Sequence, residues 1–274
     1  MGAVTRRPAT PLITLSTSSV YPESTSRAFA VARELGYDGI EVMVGVDATS
    51  RDVDALHRLR DYYEVPICSV HAPTLLLTQR TWSSEPWDKL ERSGEAANRL
   101  GASVVVVHPP FRWQRSYAAS FTEGIRQLSH ATGLIYAVEN MFPWRGPRGS
   151  EVRAYSPGWD PSELDIDHLT LDLSHAATAR QSSLELIERW GDRLAHLHLT
   201  DGMDGVADLH LLPGQGNQRA DEVLAELARR RYTGQIVLEL KTNGAGNPGD
   251  RLQQLADALE FARTHSRLPQ EDQP

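Results

Sequence analysis

The feature that most constrains the fold of this chain is an alternation of short apolar, β-rich runs with longer segments of helical spacing. This alternation is typical of parallel strands joined by helical crossovers, because parallel strands need long connections and are buried on both faces. Eight strands are predicted, at Leu12–Ser16, Gly39–Val42, Ile67–His71, Ser103–His108, Ile135–Glu139, Leu169–Asp172, Leu194–Leu199 and Ile236–Glu239.

The segments between these strands predict helices, and the connection after the fifth strand is the least clearly helical. Eight β-then-α units without a change in composition predict a single (β/α)8 TIM barrel over residues 1–274, and an open doubly wound sheet is the alternative. Residues 1–10 and 267–274 are expected to be frayed tails. The predicted helices are Ser26–Leu35, Asp52–Tyr63, Trp87–Leu100, Tyr117–Thr132, Ser183–Trp190, Asp221–Arg231 and Asp250–Thr264.

The composition narrows the class of protein. A chain of 274 residues is long enough to bury a large core without disulfides, and its 40% hydrophobic and 23% charged residues argue against disorder and against a membrane protein. The single cysteine, Cys68, lies in an apolar run, so a thiolate zinc site cannot be built and any metal must be held by His and carboxylate.

The sequence constrains the cellular location and the binding partners of the protein less strongly than it constrains the fold. Arg6 and Arg7 are not followed by the apolar region of a signal peptide, so we expect a cytoplasmic protein. The formal net charge of −8 disfavours a general nucleic-acid-binding surface, although a local basic cleft is compatible with an acidic protein. The expected partner is therefore a small molecule. A membrane is not expected as a partner, and a nucleic acid is disfavoured.

Polar side chains occur where the interior strands of a barrel should be apolar. Any one of them is most simply explained as a hydrogen-bonded capping residue or one half of an ion pair. Six consecutive strands that each bury such a group at the same rim would accumulate charge that only cations could neutralise. The residues are His71, His108, Glu139, Asp172 with His175, His196 with His198, and Glu239, followed by Asp208 and His210 in the next loop.

Imidazole and carboxylate ligands without thiolate suit Zn, Mn, Co or Fe(II) and border on Mg. One divalent metal is expected, and the number of candidate ligands is compatible with up to three. His196 shares a strand face with His198 but lies deeper in the barrel, where a structural role is as good an interpretation as a metal ligand.

Several short motifs follow one another on the predicted strands: Gly36-Tyr37-Asp38-Gly39-Ile40-Glu41, Val70-His71-Ala72-Pro73, Val138-Glu139-Asn140, Leu171-Asp172-Leu173-Ser174-His175, His198-Leu199-Thr200-Asp201, and Asp208-Leu209-His210 before Pro213-Gly214-Gln215-Gly216. In this order they resemble the xylose isomerase-like barrel superfamily. That group includes sugar isomerases and epimerases, inosose dehydratases and the DNA-repair enzyme endonuclease IV. The resemblance covers nearly the whole predicted barrel.

The resemblance to the isomerases and epimerases implies one metal held by Glu139, Asp172, His198 and Glu239. It also implies a substrate chelated through a carbonyl and an adjacent hydroxyl. Glu139 and Glu239 would then exchange protons with the substrate through a metal-stabilised enediolate, and His175 would hold a substrate oxygen. Dehydration begins with the same proton abstraction, so hydro-lyase chemistry belongs to this hypothesis.

The resemblance to endonuclease IV implies instead a phosphodiesterase with three zinc ions. All nine ligand positions have a chemically matching residue: His71, His108 and Glu139 for the first ion, Glu139, Asp172, His198 and Glu239 for the second, and His175, Asp208 and His210 for the third.

The chain departs from both patterns. Where the repair enzymes carry a wedging Tyr and basic residues, it has Ala72-Pro73-Thr74 and Val42–Asp47, which cannot open a base stack. Where epimerases often place a substrate-binding Arg, it has His210. We therefore expect a metal-dependent isomerase or epimerase acting on a carbohydrate-like small molecule, with the phosphodiesterase second. A metal-stabilised binding barrel is third, because both acid–base carboxylates are present.

Two connections are longer than a barrel needs, Asn140–Leu164 and Thr200–Ala220, and both follow strands at the end where barrel enzymes place their substrate loops. In the first, Trp144 and Arg145 are candidates to cover or grip a substrate, and a solvated surface loop is the alternative. Lys241 shares a strand face with Glu239 and is a third candidate, with a solvated lysine as its alternative.

Overall fold

The barrel predicted from the sequence is present in the computed structural model, which describes residues 10–74, 76–78, 80–146, 150–205 and 207–267. Eight parallel strands close on themselves, with each barrel strand beside the next one along the chain and the last beside the first, so the open doubly wound alternative is wrong. The predicted frayed tails lie outside the described residues, except for Thr10 and Arg267.

The barrel strands match their predicted bounds to within one residue at either end. A separate two-stranded antiparallel ribbon lies in the connection after the fifth barrel strand, which the sequence indicated to be the least clearly helical. In chain order the strands are β1 Leu12–Ser16, β2 Gly39–Met43, β3 Ile67–His71, β4 Val104–Val107, β5 Ile135–Glu139, β6 Trp144–Arg145, β7 Glu151–Val152, β8 Leu169–Asp172, β9 Leu194–Leu199 and β10 Gln235–Leu238.

The helices surround the barrel, and each predicted helix is present with bounds within two residues of the prediction. Two short helices, Ala48–Arg51 and Leu173–Thr178, were not predicted, because four or six residues are too few to reveal a helical period. The helices are α1 Thr25–Leu35, α2 Ala48–Arg51, α3 Val53–Tyr63, α4 Pro86–Leu100, α5 Arg115–Thr132, α6 Leu173–Thr178, α7 Ser183–Trp190, α8 Ala220–Arg229 and α9 Pro248–His265.

Alternation along each strand separates the hydrophobic core from the polar barrel interior. Leu197 and Leu199 of β9 belong to the main core, between the strands and the surrounding helices. His196 and His198, on the other face of the same strand, are also fully buried, but they point into the barrel. The two-residue period of a strand thus puts the candidate ligands inside the barrel while the apolar residues hold the helices.

The loop after β9 is held by a buried carboxylate. Asp201 accepts backbone hydrogen bonds from Gly202 at 2.9 Å, Gly214 at 3.0 Å and Gln218 at 3.1 Å. Gly216 lies so close to this turn that a Cβ atom there would approach the carbonyl oxygen of Gly202 to 2.2 Å. The Pro213–Gly216 segment therefore shapes the loop that carries Asp208 and His210.

Within the described parts of the chain, none of the helices combines the length and apolar character needed to cross a membrane.

Candidate metal centre

Three carboxylates converge on one nitrogen of His198 at the carboxyl end of the barrel. Nδ1 of His198 lies 2.9 Å from Oε1 of Glu139, 3.0 Å from Oε2 of Glu239 and 3.5 Å from Oδ2 of Asp172. An imidazole nitrogen carries at most one hydrogen, so it cannot satisfy three carboxylates. Each of these four residues offers one ligand atom, and these atoms all lie within 4.8 Å of one another.

The local structure aims Asp172 at this point. It ends β8 and caps helix α6, because its Oδ1 accepts a hydrogen bond of 2.7 Å from the backbone nitrogen of His175. Its other oxygen, Oδ2, is buried without a hydrogen-bond partner among the described residues. A buried carboxylate oxygen without a donor is costly, and a cation would satisfy it.

The charges of the site support the same conclusion. Burial by itself would raise the pKa of Glu139, but His198, His108 and His71 bring that pKa well below its usual range. Burial opposes protonation of His198, but Glu41, Glu139 and Glu239 raise its pKa well above the ordinary value. Negative charge therefore accumulates around one point inside the barrel, and the donors there fit a divalent cation held by one imidazole and three carboxylates.

Two further histidines contact the second oxygen of Glu139. Nε2 of His108 lies 2.9 Å from Oε2 of Glu139, and Nε2 of His71 lies 3.3 Å from the same atom. His71, Glu139 and His198 offer a second group of ligand atoms within 4.8 Å of one another. Glu139 thus stands between two sets of candidate ligands.

A third set lies on the α6 side. Nε2 of His210 is 3.0 Å from Oδ2 of Asp208, and Nε2 of His175 is 3.6 Å from the same oxygen. Asp172, His175 and His210 also offer ligand atoms within 4.8 Å of one another. His210 has a left-handed backbone, with φ of 44°, which is unfavourable for a residue with a side chain and is held here by the loop. All nine predicted ligands are therefore neighbours in space.

Two residues without a predicted role position these ligands. Asn140 exchanges two hydrogen bonds with the backbone of Asp172, at 3.0 Å and 2.7 Å, and its carbonyl oxygen lies 2.9 Å from Nδ1 of His175. Ser174 donates to Asp208 at 2.7 Å and accepts from the backbone of His210 at 3.0 Å. Asn140 directly follows Glu139 and Ser174 directly precedes His175 in the sequence motifs. Their position next to candidate ligands was the only sequence signal for this positioning role.

A buried carboxylate below the centre was also not predicted. Oε2 of Glu41 accepts a hydrogen bond of 2.8 Å from Ser69 and lies 2.9 Å from Nε2 of His196. Its Oε1 lies 3.1 Å from Nε2 of His198. His196 contacts Glu41 and not the convergence point, although Glu41, His196 and His198 together offer a further group of possible ligand atoms. Glu41 ends a motif on the second strand, whereas the run of polar strand ends that indicates the site begins only at the third strand.

The three predicted substrate contacts have different environments. Trp144 lines the cavity above the centre. Arg145 does not line it: its guanidinium pairs with Glu151 at 2.9 Å and donates to the carbonyl oxygen of Thr178 at 3.3 Å. Lys241 is exposed and lines an adjacent cavity that Glu239 also borders. Their roles toward a substrate remain predictions.

The fold and these motifs have counterparts in a known family. Residues 29–265 match the family model of the xylose isomerase-like TIM barrel. The chain belongs to this family. An uncharacterized protein of Mycobacterium tuberculosis is 46% identical over 269 residues, covering 92% of this chain and 96% of the relative. Fructoselysine 3-epimerase of Escherichia coli O157:H7 is 23% identical over 246 residues, covering 81% and 87%.

Solved structures extend the comparison within the xylose isomerase-like barrels. The structure of a D-tagatose 3-epimerase-like protein is 26% identical with a TM-score of 0.66, covering 92% of this chain and 98% of that one. Endonuclease IV from Thermus thermophilus is 18% identical with a TM-score of 0.57, covering 93% and 100%, and shares the fold. Sugar epimerases are thus found among both the sequence relatives and the structural neighbours.

Proposed function

We propose that the protein is a divalent-metal-dependent isomerase or epimerase of a carbohydrate-like substrate: a sugar, a polyol or a keto-sugar derivative. The observation that carries this proposal is the placement of Glu139 and Glu239. They lie at the carboxyl ends of two strands that β8 and β9 separate in the barrel, approach the same nitrogen of His198, and line the same cavity. A substrate seated over His198 would have one carboxylate on each side, as the transfer of a proton between two faces requires.

The two carboxylates differ in access to the cavity. The side chain of Glu239 is 12% exposed and that of Glu139 is 1% exposed. One carboxylate removes a proton from the carbon beside the carbonyl, and the partner carboxyl, which enters the step protonated, delivers its proton to the opposite face of that carbon in an epimerisation. Glu139, Asp172, His198 and Glu239 would hold the ion, which supplies Lewis-acid stabilisation of the enediolate when bound.

His175 is suited to hold a substrate oxygen. Burial opposes protonation of the ring, but Asp172 and Asp208 raise the pKa of His175 to about 10, so both ring nitrogens carry hydrogen near neutral pH. Nδ1 donates to the carbonyl oxygen of Asn140 at 2.9 Å, which orients the ring. His175 borders the cavity, where its Nε2–H group can donate to a substrate oxygen.

The test is proton exchange between substrate and solvent. Metal-loaded protein is incubated in D2O with a panel of keto-sugars, and NMR follows loss of the proton on the carbon beside the carbonyl. We expect exchange with at least one sugar, and a rate at least ~100-fold lower for Glu239→Gln. Glu222→Gln, an exposed substitution on α8, is the matched control. Full exchange by Glu239→Gln would reject the proposed role.

A trinuclear-zinc phosphodiesterase is the second candidate, because His71, His108, Asp208 and His210 surround the four central residues. Elemental mass spectrometry of the purified protein distinguishes the two candidates. Three zinc ions per chain together with cleavage of DNA containing an abasic site would favour the phosphodiesterase. A single exchangeable Mn, Co, Mg or Zn ion without DNA cleavage would favour the isomerase.

A further inference from the structure

The candidate metal centre lies between two cavities that are lined by different side chains. One has a volume of about 230 Å³ and the other about 300 Å³, and both are bordered by Asp208, His210 and Glu239. A substrate that reacts beside Glu239 therefore has two directions in which to extend. We call the first the aromatic cavity and the second the polar cavity.

The aromatic cavity has an apolar wall outside the metal centre. Its described polar side-chain groups are those of the candidate ligands, apart from the hydroxyl of Tyr155 and the indole N–H of Trp144. The rings of Tyr155 and Trp144 pack edge to face with centroids 6.3 Å apart. The remainder of the wall includes Met43, Phe111, Met141, Phe142 and Trp144.

This wall offers too few hydrogen-bond partners for the several hydroxyl groups of a bare sugar chain. Each buried hydroxyl without a partner costs free energy, and the wall offers aromatic and thioether surface where partners would be needed. An apolar group gains instead from leaving water. A cavity of about 150 Å³ with apolar walls holds a benzene ring, so a volume of about 230 Å³ is large enough for an aromatic ring.

The wall is pre-formed by ring packing. Phe111 stacks on Trp113 with centroids 4.5 Å apart and on Tyr155 with centroids 5.2 Å apart. Phe142 packs against His175 with centroids 4.9 Å apart, so the apolar wall is in direct contact with the candidate ligands. A ring bound here would meet other rings in fixed positions and within reach of the reacting atoms.

The polar cavity offers the complementary chemistry. Ser18, Tyr21, Lys241 and Asn243 border it and supply hydroxyl, ammonium and amide groups, while the hydroxyl of Thr242 is already held by Ser19 and Arg251. Hydroxyl groups of a sugar or polyol find partners there. The two halves of the site therefore favour the two ends of one asymmetric molecule.

We propose that the substrate is a keto-sugar or keto-polyol that carries an aromatic substituent. The aromatic cavity binds the substituent, and the hydroxylated end extends toward the polar cavity. This inference rests on the proposed function and deepens it, because it names the class of substrate. It excludes free, unsubstituted sugars as the preferred ligands.

A matched pair of chelating probes tests the aromatic cavity without requiring turnover. Benzohydroxamate and acetohydroxamate present the same metal-binding atoms and differ in a phenyl ring against a methyl group. Isothermal titration calorimetry on metal-loaded protein should give a dissociation constant at least ~10-fold lower for benzohydroxamate. Equal affinities, or no binding of either probe, would overturn the proposal.

Substitutions in the wall test whether the preference for the phenyl probe arises in the aromatic cavity. Trp144→Ala and, separately, Phe142→Ala should reduce the benzohydroxamate preference to less than ~3-fold while acetohydroxamate binding persists. Tyr62→Ala removes an aromatic side chain that is 79% exposed on α3, and this control should retain the full preference. A preference that survives both cavity substitutions would reject the assignment.

The outcome is separable from that of the proposed function. A phenyl preference without proton exchange in any keto-sugar would reject the isomerase and retain the aromatic cavity. Rapid exchange of unsubstituted keto-sugars without a phenyl preference would retain the isomerase and reject the aromatic substituent.

Discussion

Oε1 of Glu41 lies 3.1 Å from Nε2 of His198, on the side of the ring opposite the nitrogen that faces Glu139 and Glu239. A carboxylate behind a metal-binding histidine favours the tautomer with hydrogen on the far nitrogen and leaves the near nitrogen free for the metal. Glu41 is therefore positioned to orient His198 without binding the ion itself.

Replacement of this carboxylate should weaken metal binding. We expect Glu41→Gln to raise the dissociation constant for Mn or Zn by about 10–100-fold, because the neutral amide stabilises the His198 tautomer less well. Competition with a chromogenic chelator measures the change. Ser69→Ala, which removes one hydrogen bond to Oε2, is the control for a merely structural effect and should change affinity far less. Equal affinities of Glu41→Gln and the wild type would contradict the positioning role.

Removal of the metal should destabilise the fold. Glu139, Asp172 and His198 of the centre are buried, and a ligand at about 100 times its dissociation constant contributes about 2.7 kcal/mol to folding. For a chain of this size we expect chelation to lower Tm by about 5–10 °C. Differential scanning calorimetry before chelation, after it, and after return of the metal measures the effect. An unchanged Tm would argue against a tightly held metal.

The conservative substitution Asp172→Asn should separate folding from metal binding. Oδ1 of Asp172 caps α6, and an amide oxygen can still accept that hydrogen bond. The buried Oδ2 position, however, loses its negative charge. We expect the circular dichroism spectrum to persist while metal affinity falls at least ~10-fold, as measured by chelator competition. Retention of wild-type affinity would remove Asp172 from the ligand set.

The loop after β9 should depend on Asp201. Its buried carboxylate accepts three backbone hydrogen bonds, so Asp201→Ala should lower the free energy of unfolding by about 2–4 kcal/mol. Urea denaturation measures this change. The exposed Asp204→Ala in the same loop serves as the control and should stay within about 0.5 kcal/mol of the wild type. A stable Asp201→Ala protein would show that other contacts hold the loop.

Much of the fold and of the candidate site was predictable from the sequence, because it depends on local periods and on the direction of the strands. Strand and helix periods are local properties of the chain, and in a closed parallel barrel the carboxyl ends of the strands meet at one rim. Residues as distant in sequence as His71 and Glu239 were therefore expected to be neighbours, and they border one cavity. The short helix α6 was missed because its start is set by the Asp172 cap and not by an apolar period.

The sequence by itself determined the barrel and the identity of the residues gathered at its mouth, because both follow from periodicity and from the direction of parallel strands. The tertiary structure decided which atoms face one another. Glu41 and His196 are 155 positions apart, and only closure of the barrel brings them to 2.9 Å. The wall of the aromatic cavity likewise joins Phe111 to Tyr155 across two different loops. Loop conformations depend on long-range packing, which leaves no period in the sequence to read.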